Sequence, residues 1–171
     1  MLFAFNSLVT AFANILIGIF VYTRNPKQST NRLFFLLTLT LGLWIVTLYY
    51  YYVTNDVHLL LFLGRINFAF PTLTIYYLYR FIYEFPSTTI KLSKVLRFLI
   101  TLLAYTMTFL AAFTPFIDKN EILLGTERII EYGQMYNLWV AYFAGLPVFA
   151  LSLLMLKIHN SKGISKKQLR Y

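Results

Sequence analysis

Five long apolar runs alternate with short polar stretches along the chain. Leu2 to Tyr22 and Leu33 to Val53 are each 21 residues without a charge. Leu59 to Tyr83 is 25 residues interrupted by Arg65 and Arg80. Val95 to Ile117 is 23 residues with one charge, Arg97, near its start, and Tyr136 to Leu156 is another charge-free 21. At the rise of an α-helix these runs reach roughly 31–38 Å, enough to cross a hydrocarbon core of about 30 Å. Lipid offers the backbone no hydrogen bonds, so spanning segments close theirs internally, as helices. The pattern therefore predicts an all-α membrane protein. It is a single domain over residues 1–171, a polytopic bundle of five transmembrane helices at about 2–22, 33–53, 59–83, 95–117 and 136–156.

The first run has no basic segment before it, and its positive charge follows, at Arg24 and Lys27. That is the pattern of an uncleaved first helix rather than of a signal peptide. Between the fourth and fifth runs lies the only connection with room for structure of its own. Glu121-Ile122-Leu123-Leu124 and Arg128-Ile129-Ile130-Glu131-Tyr132 flank Gly125-Thr126, which predicts a short β-hairpin. Pro71 and Pro147 fall inside the third and fifth runs and are candidate hinges.

Composition agrees with this class. Hydrophobic residues make up 59% of the chain and charged residues 12%, against about a quarter charged in an average soluble domain. That excludes a disordered chain and an ordinary soluble domain. The charges are lopsided, with 15 Lys and Arg against 6 Asp and Glu. Eleven of the basic residues fall in the first and third connections and the tail, and only Lys119 and Arg128 fall in the second and fourth. Five of the six acids lie with those two. The positive-inside rule then puts the N-terminus and the hairpin outside and the C-terminus in the cytoplasm. The expected location is a bacterial plasma membrane, crossed several times. The basic residues suit anionic lipid headgroups and form no nucleic-acid patch. There is no cysteine, the two histidines His58 and His159 stand apart, and no phosphate-binding loop, metal-ligand spacing or catalytic constellation is present. No cofactor, metal or enzymatic activity is expected of the chain.

A few polar residues within the apolar runs are candidates for signalling or binding. Arg65 reads either as a pocket or relay residue, or as a snorkelling arginine paired with a carbonyl or an outer-loop acid. Asn14 and Asn137 read as ligand contacts or as interhelical hydrogen-bonding glue. Arg80 and Glu84, four apart, are placed to pair across one helical turn. Ala141 and Gly145 form a small-residue packing pair. Tyr49 to Tyr52, the tyrosines between Tyr76 and Tyr83, and Tyr132, Tyr136 and Trp139 read as aromatic belts at the two interfaces.

The order of motifs is more specific than any one of them. Asn14 leads to Tyr22-Thr23-Arg24-Asn25-Pro26-Lys27, then Thr30-Asn31-Arg32 and Trp44. Arg65-Ile66-Asn67-Phe68-Ala69 precedes Phe81 and Phe85-Pro86. Tyr132-Gly133 comes before the fifth helix and Lys167-Gln168-Leu169-Arg170-Tyr171 closes the chain. Over its whole length the chain resembles the N-terminal seven-helix membrane region of bacterial sensor histidine kinases. The resemblance implies a signal-input module of a two-component system, in which a stimulus at the outer half moves helices joined to an inner output domain. Helices six and seven, the phospho-accepting histidine segment and the ATP-binding domain have no counterpart here, so the chain reads as a fragment without its output kinase. The alternatives are a small oligomeric carrier or channel subunit, and the same input module serving another output such as a cyclase. A homodimer is the oligomer that the class suggests.

Overall fold

The computed structural model of the protein describes residues 2–85, 90–125 and 127–160. Pro86 and the closing stretch from 161 to 171, with four of the tail's basic residues, lie outside the described residues. Five helices form: α1 (Leu2–Arg24), α2 (Ser29–Val53), α3 (Val57–Glu84), α4 (Lys94–Phe113) and α5 (Tyr136–Asn160). All five are long and apolar enough to cross a membrane. A two-stranded antiparallel sheet of β1 (Asp118–Leu124) and β2 (Glu127–Tyr132) lies between α4 and α5, as the sequence predicts. Its connection is two residues long, and Gly125 takes φ of 64°, the left-handed conformation that such a turn asks of glycine.

Two helix ends differ from expectation. α2 begins at Ser29 rather than Leu33, because the polar Ser29-Thr30-Asn31-Arg32 forms a half-buried first turn of the helix, in which Ser29 donates to Glu84 of α3. α4 ends at Phe113 rather than Ile117, because Pro115 disfavours helical backbone at Thr114 before it. The rest of that apolar run turns back into the protein. Ile117 is fully buried with Ala69, Ala111 and Trp139, and Phe116 and Ile117 carbonyls accept from the Met135 and Gly133 amides at 2.7 and 2.9 Å.

α3 is the central element. Half of its most apolar stretch is buried, against 11% for α1. Side-chain bonds tie it antiparallel to α2 along their whole length. Thr47 donates to Asn67 at 2.7 Å, Thr74 to Thr40 at 3.0 Å, and Ser29 to Glu84. α5 runs parallel to α3. Trp139 Nε1 donates to Thr72 Oγ1 at 2.8 Å and the Tyr142 hydroxyl to the Thr72 carbonyl at 3.1 Å. At the other end Lys157, 2% exposed, donates to the carbonyls of Ile82, Tyr83 and Phe85 at 2.6, 2.7 and 3.3 Å. A cation on the last carbonyls of α3 satisfies the orphan acceptors of that helix end and complements its dipole. The sequence pattern marks Lys157 only as one of the tail's charges; in the fold it is a buried clasp.

The tyrosines of α3 are not an interfacial belt. Tyr76, Tyr79 and Tyr83 are buried, packed with Met107, Tyr142 and Leu146 in the main core. The reason is the central position of α3, which turns its aromatic face towards α4 and α5 instead of lipid. Ala141 and Gly145 do not make a close helix contact. Both border an open apolar groove of about 420 Å³ between α4 and α5, and nothing stands within 4 Å of the place a Gly145 side chain would occupy. α3 and α5 continue as helices through Pro71 and Pro147.

Replacing the clasp tests this arrangement. Lys157→Met should lower the melting temperature of the protein in lipid nanodiscs, with a loss of about 1–3 kcal/mol for the stranded carbonyls. Lys91→Met, at an exposed position, should stay within about 0.5 kcal/mol of the parent. Equal melting of the two variants would remove the clasp.

Candidate functional site

The hairpin does not float free of the helices. In a regular strand Asp118 and Glu121, three apart, would point to opposite faces. The register breaks between Asp118 and Asn120, where Asp118 pairs with Tyr132 and Asn120 with Glu131. This β-bulge at Lys119 resets the alternation. Lys119 and Asn120 are exposed, and Asp118 and Glu121 are both turned inward, 0% and 1% exposed.

The floor under the two acids is α3. A methyl group on Gly64 would overlap Glu121 Oε1 and lie 2.6 Å from Asp118 Oδ2, so only glycine lets the carboxyls rest on the helix backbone. From α2, the Tyr51 hydroxyl donates to Glu121 Oε2 at 2.8 Å. Arg65, about two turns into α3, reaches β1 through backbone, with Nε to the Asp118 carbonyl at 3.2 Å and Nη2 to the Lys119 carbonyl at 3.5 Å. Arg128 of β2 donates through Nη2 to the carbonyls of Tyr52 and Thr54, at 3.0 and 2.9 Å, and so closes the C-terminal end of α2. Beside the pair lies a cavity of about 230 Å³, lined among others by Trp44, Tyr51, Asn67, Glu121 and Trp139.

The arginines spend their hydrogen bonds on carbonyls, and the acids are left short of donors. Neither oxygen of Asp118 nor Oε1 of Glu121 has a hydrogen-bond partner. Burial, and then the facing Glu121 charge, pushes the Asp118 carboxyl up to about 7, with Arg65 pulling the other way. Burial raises Glu121 as well, against the hydrogen bond from Tyr51, the adjoining Asp118 carboxyl and the charge of Arg128. Two buried carboxyls facing each other over one glycine disfavour carrying two charges at once. The arrangement can take up and release a proton. Among the described residues no group of three or more His, Asp or Glu side chains converges as a metal centre would need.

Of the residues singled out from sequence, Arg65 lies in this site, in the carbonyl-paired form of its structural reading, and Pro71 lines the neighbouring cavity. Asn14 is elsewhere; its amide bonds the Thr10 carbonyl of its own helix at 2.9 Å, so it is not interhelical glue. Asn137 is exposed at the start of α5, and Pro147 is half-buried further along that helix. Arg80 and Glu84 pair at 2.6 Å at the opposite end of α3. The α2–α3 glue is Asn67 instead. Sequence reasoning missed Tyr51, Asp118, Glu121 and Arg128. The usable signal was acids set among apolar hairpin residues, but without the bulge nothing placed them on one face.

Comparison with protein-family models, with curated proteins and with solved structures gives no match.

Two outcomes follow from the site. Gly64→Ala should lift the carboxyls off α3 and cost about 1–3 kcal/mol in thermal stability. The pH effect has a definite sign. A carboxyl held near 7, against its ordinary 3.8, binds its proton more tightly in the folded protein. Its contribution to stability is complete below about pH 4, declines as pH rises towards 7 and is lost above. Asp118→Asn keeps the shape of the neutral acid. It should melt close to the parent at about pH 4 and increasingly above the parent as the pH is raised to about 8. A variant melting below the parent at the higher pH would contradict the raised Asp118 carboxyl.

Proposed function

We propose that the chain is a membrane-embedded signal-input module of the sensor histidine kinase type. In this reading it sits in a bacterial plasma membrane with the hairpin outside. The end of the bundle that carries Arg24, Lys27, Arg32, Lys91 and Lys94 faces anionic lipid on the cytoplasmic side. The order of motifs from Asn14 to Tyr171 supports it. So does one structural observation: the hairpin is docked onto α2 and α3 through buried polar groups and leads directly into α5, which is fastened to α3 at the far end by Lys157. A change in hairpin docking at one face thereby has a continuous helix along which to reach the other. The chain's own residues hold and move helices; the phosphoryl chemistry belongs to an output domain joined beyond them.

The orientation and the signalling role are tested separately. The chain has no cysteine of its own, so a single introduced one is unique. A cysteine at Lys27 should be protected from an impermeant thiol reagent added to intact cells, and one at Glu127 labelled; the reverse pattern would overturn the orientation. For the role, the chain is fused through its tail to the dimerisation and catalytic core of a histidine kinase. Arg65→Ala and Pro147→Ala should each change autophosphorylation by about five-fold or more, the lower range of a coupling free energy between sites. Unchanged rates in both variants would sink the signalling role. Solute flux in liposomes that Arg65→Ala abolishes would establish the carrier reading in its place.

A further inference from the structure

The hairpin end contains two acids that the fold has gone to some length to bury and has not supplied with donors. Asp118 is fully enclosed with both oxygens unpartnered, and Glu121 is 1% exposed with one oxygen unpartnered. The nearby cations do not meet this need. Arg65 is committed to the Asp118 and Lys119 carbonyls, and Arg128 gives its Nη2 to the Tyr52 and Thr54 carbonyls while its buried Nε has no partner and so does not reach either acid. Lys119 points outward and lies 3.9 Å from Glu131. The Tyr51 hydroxyl serves Glu121 Oε2 alone among the acids' oxygens. Tyr52 and Tyr132 add no donor to the pair, and α5 presents Trp139, which does not ionise, to the neighbouring cavity. Two facing acceptors without donors are completed by one small cation, the hydrogen ion.

We propose that the Asp118–Glu121 pair is the stimulus site of this module and that the ligand it takes is the hydrogen ion, held between the two carboxyls over Gly64. This deepens the signal-input reading and rests on it. With the proton bound, the neutral Asp118 donates to the Glu121 carboxylate, the pair carries one negative charge, and the hairpin stays seated on α3. Release of the proton to solvent leaves two carboxylates in contact in a buried site. Their repulsion and the cost of desolvating the second charge are relieved when β1 lifts from Gly64. That motion loosens the Arg65 and Tyr51 contacts together and frees the start of α5. Acid outside the membrane is the docked state and alkali the released one.

The experiment uses the full chain in lipid nanodiscs, with no output domain attached. Infrared spectra should show a buried carboxylic-acid C=O band at about pH 5.5 that is gone by about pH 8.5 and is absent throughout in Asp118→Asn. Over the same interval the amides of β1 and β2, corrected for the intrinsic pH dependence of exchange, should exchange about ten-fold faster, the factor that one unit of pKa difference between docked and released states gives. That acceleration should vanish in Asp118→Asn. Glu121→Gln removes the facing charge and should move the band's midpoint to lower pH. Absence of the acid band at about pH 5.5, its loss without any change in hairpin exchange, an unmoved midpoint in Glu121→Gln, or hairpin exchange that follows sodium concentration instead of pH would each overturn the proposal. Because these measurements read the site alone, their failure removes the proton and leaves the signalling role to the kinase fusion. A silent fusion with an intact titration removes the signalling role and leaves the proton site.

Discussion

α3 must satisfy a run of polar groups in an apolar setting, and the rest of the structure is arranged around how it does so. It is the most buried helix, and it carries two arginines, a glutamate, an asparagine, two threonines and a proline. Hydrocarbon serves none of these groups, so each one recruits a neighbour. Asn67 accepts the Thr47 hydroxyl of α2, Thr74 donates to the Thr40 hydroxyl, Thr72 accepts the indole of Trp139, and Glu84 accepts from Arg80 and Ser29. The partners of α3 are thereby chosen by polarity, while apolar contact fills the space between them. α1, where Asn14 satisfies itself within the helix, packs chiefly on α2 and leaves most of its surface outside the bundle.

The same economy recurs at both ends of the bundle. Arg65, Arg128 and Lys157 come from three different elements, and all three give their hydrogen bonds to backbone carbonyls rather than to carboxylates. Arg128 does so at the end of α2 and Lys157 at the end of α3, where orphan carbonyls and the helix dipole both favour a cation. The result is docking of the hairpin on the helices in which, among the described residues, no ion pair joins the two; the hairpin's own pair, Lys119 with Glu131, is internal to it. It also means that the two buried acids beside those arginines remain under-compensated. The electrostatic oddity of the site is therefore a consequence of how the helix ends are capped, and its neutral carboxyl follows from packing.

Much of the fold is legible in the chain because it is written in one dimension. The five helices follow from run length alone, and the hairpin follows from apolar strands around Gly125. The helix ends that moved did so for local reasons visible at Thr114-Pro115 and Ser29. The site was not legible in the same way, since it depends on a two-residue irregularity. Without the bulge at Lys119, Asp118 and Glu121 lie on opposite faces of β1 and only one of them can be buried. Tyr51 is chemically one of four consecutive tyrosines, and its role is set by which of the four faces the hairpin. Lys157 counts equally as a topology charge whether it points to water or to the carbonyls of α3. Each of these depends on which neighbour is reached across the fold, and a single sequence records no neighbour.

What makes the hairpin more than a cap is where the chain goes next. Phe116 and Ile117, just before β1, share backbone hydrogen bonds with Gly133 and Met135, just after β2. The entry and exit of the hairpin are thus one unit. From there Tyr132 stacks on Tyr136 at 3.8 Å between ring centres, and Trp139 packs edge-on against Phe68 of α3 at 4.8 Å. A displacement of β1 on Gly64 is carried into the first turn of α5 by stiff rings and short hydrogen bonds. α5 is hydrogen-bonded to α3 where Trp139 and Tyr142 meet Thr72 and where Lys157 meets the last turn, and between these points Leu146, Phe149, Ala150 and Leu153 pack on the tyrosines of α3, with an open groove on the side towards α4. A helix packed along one side and open on another transmits a shift of its first turn as a rigid body, and its Lys157 contact lies at the opposite end of the bundle from the hairpin.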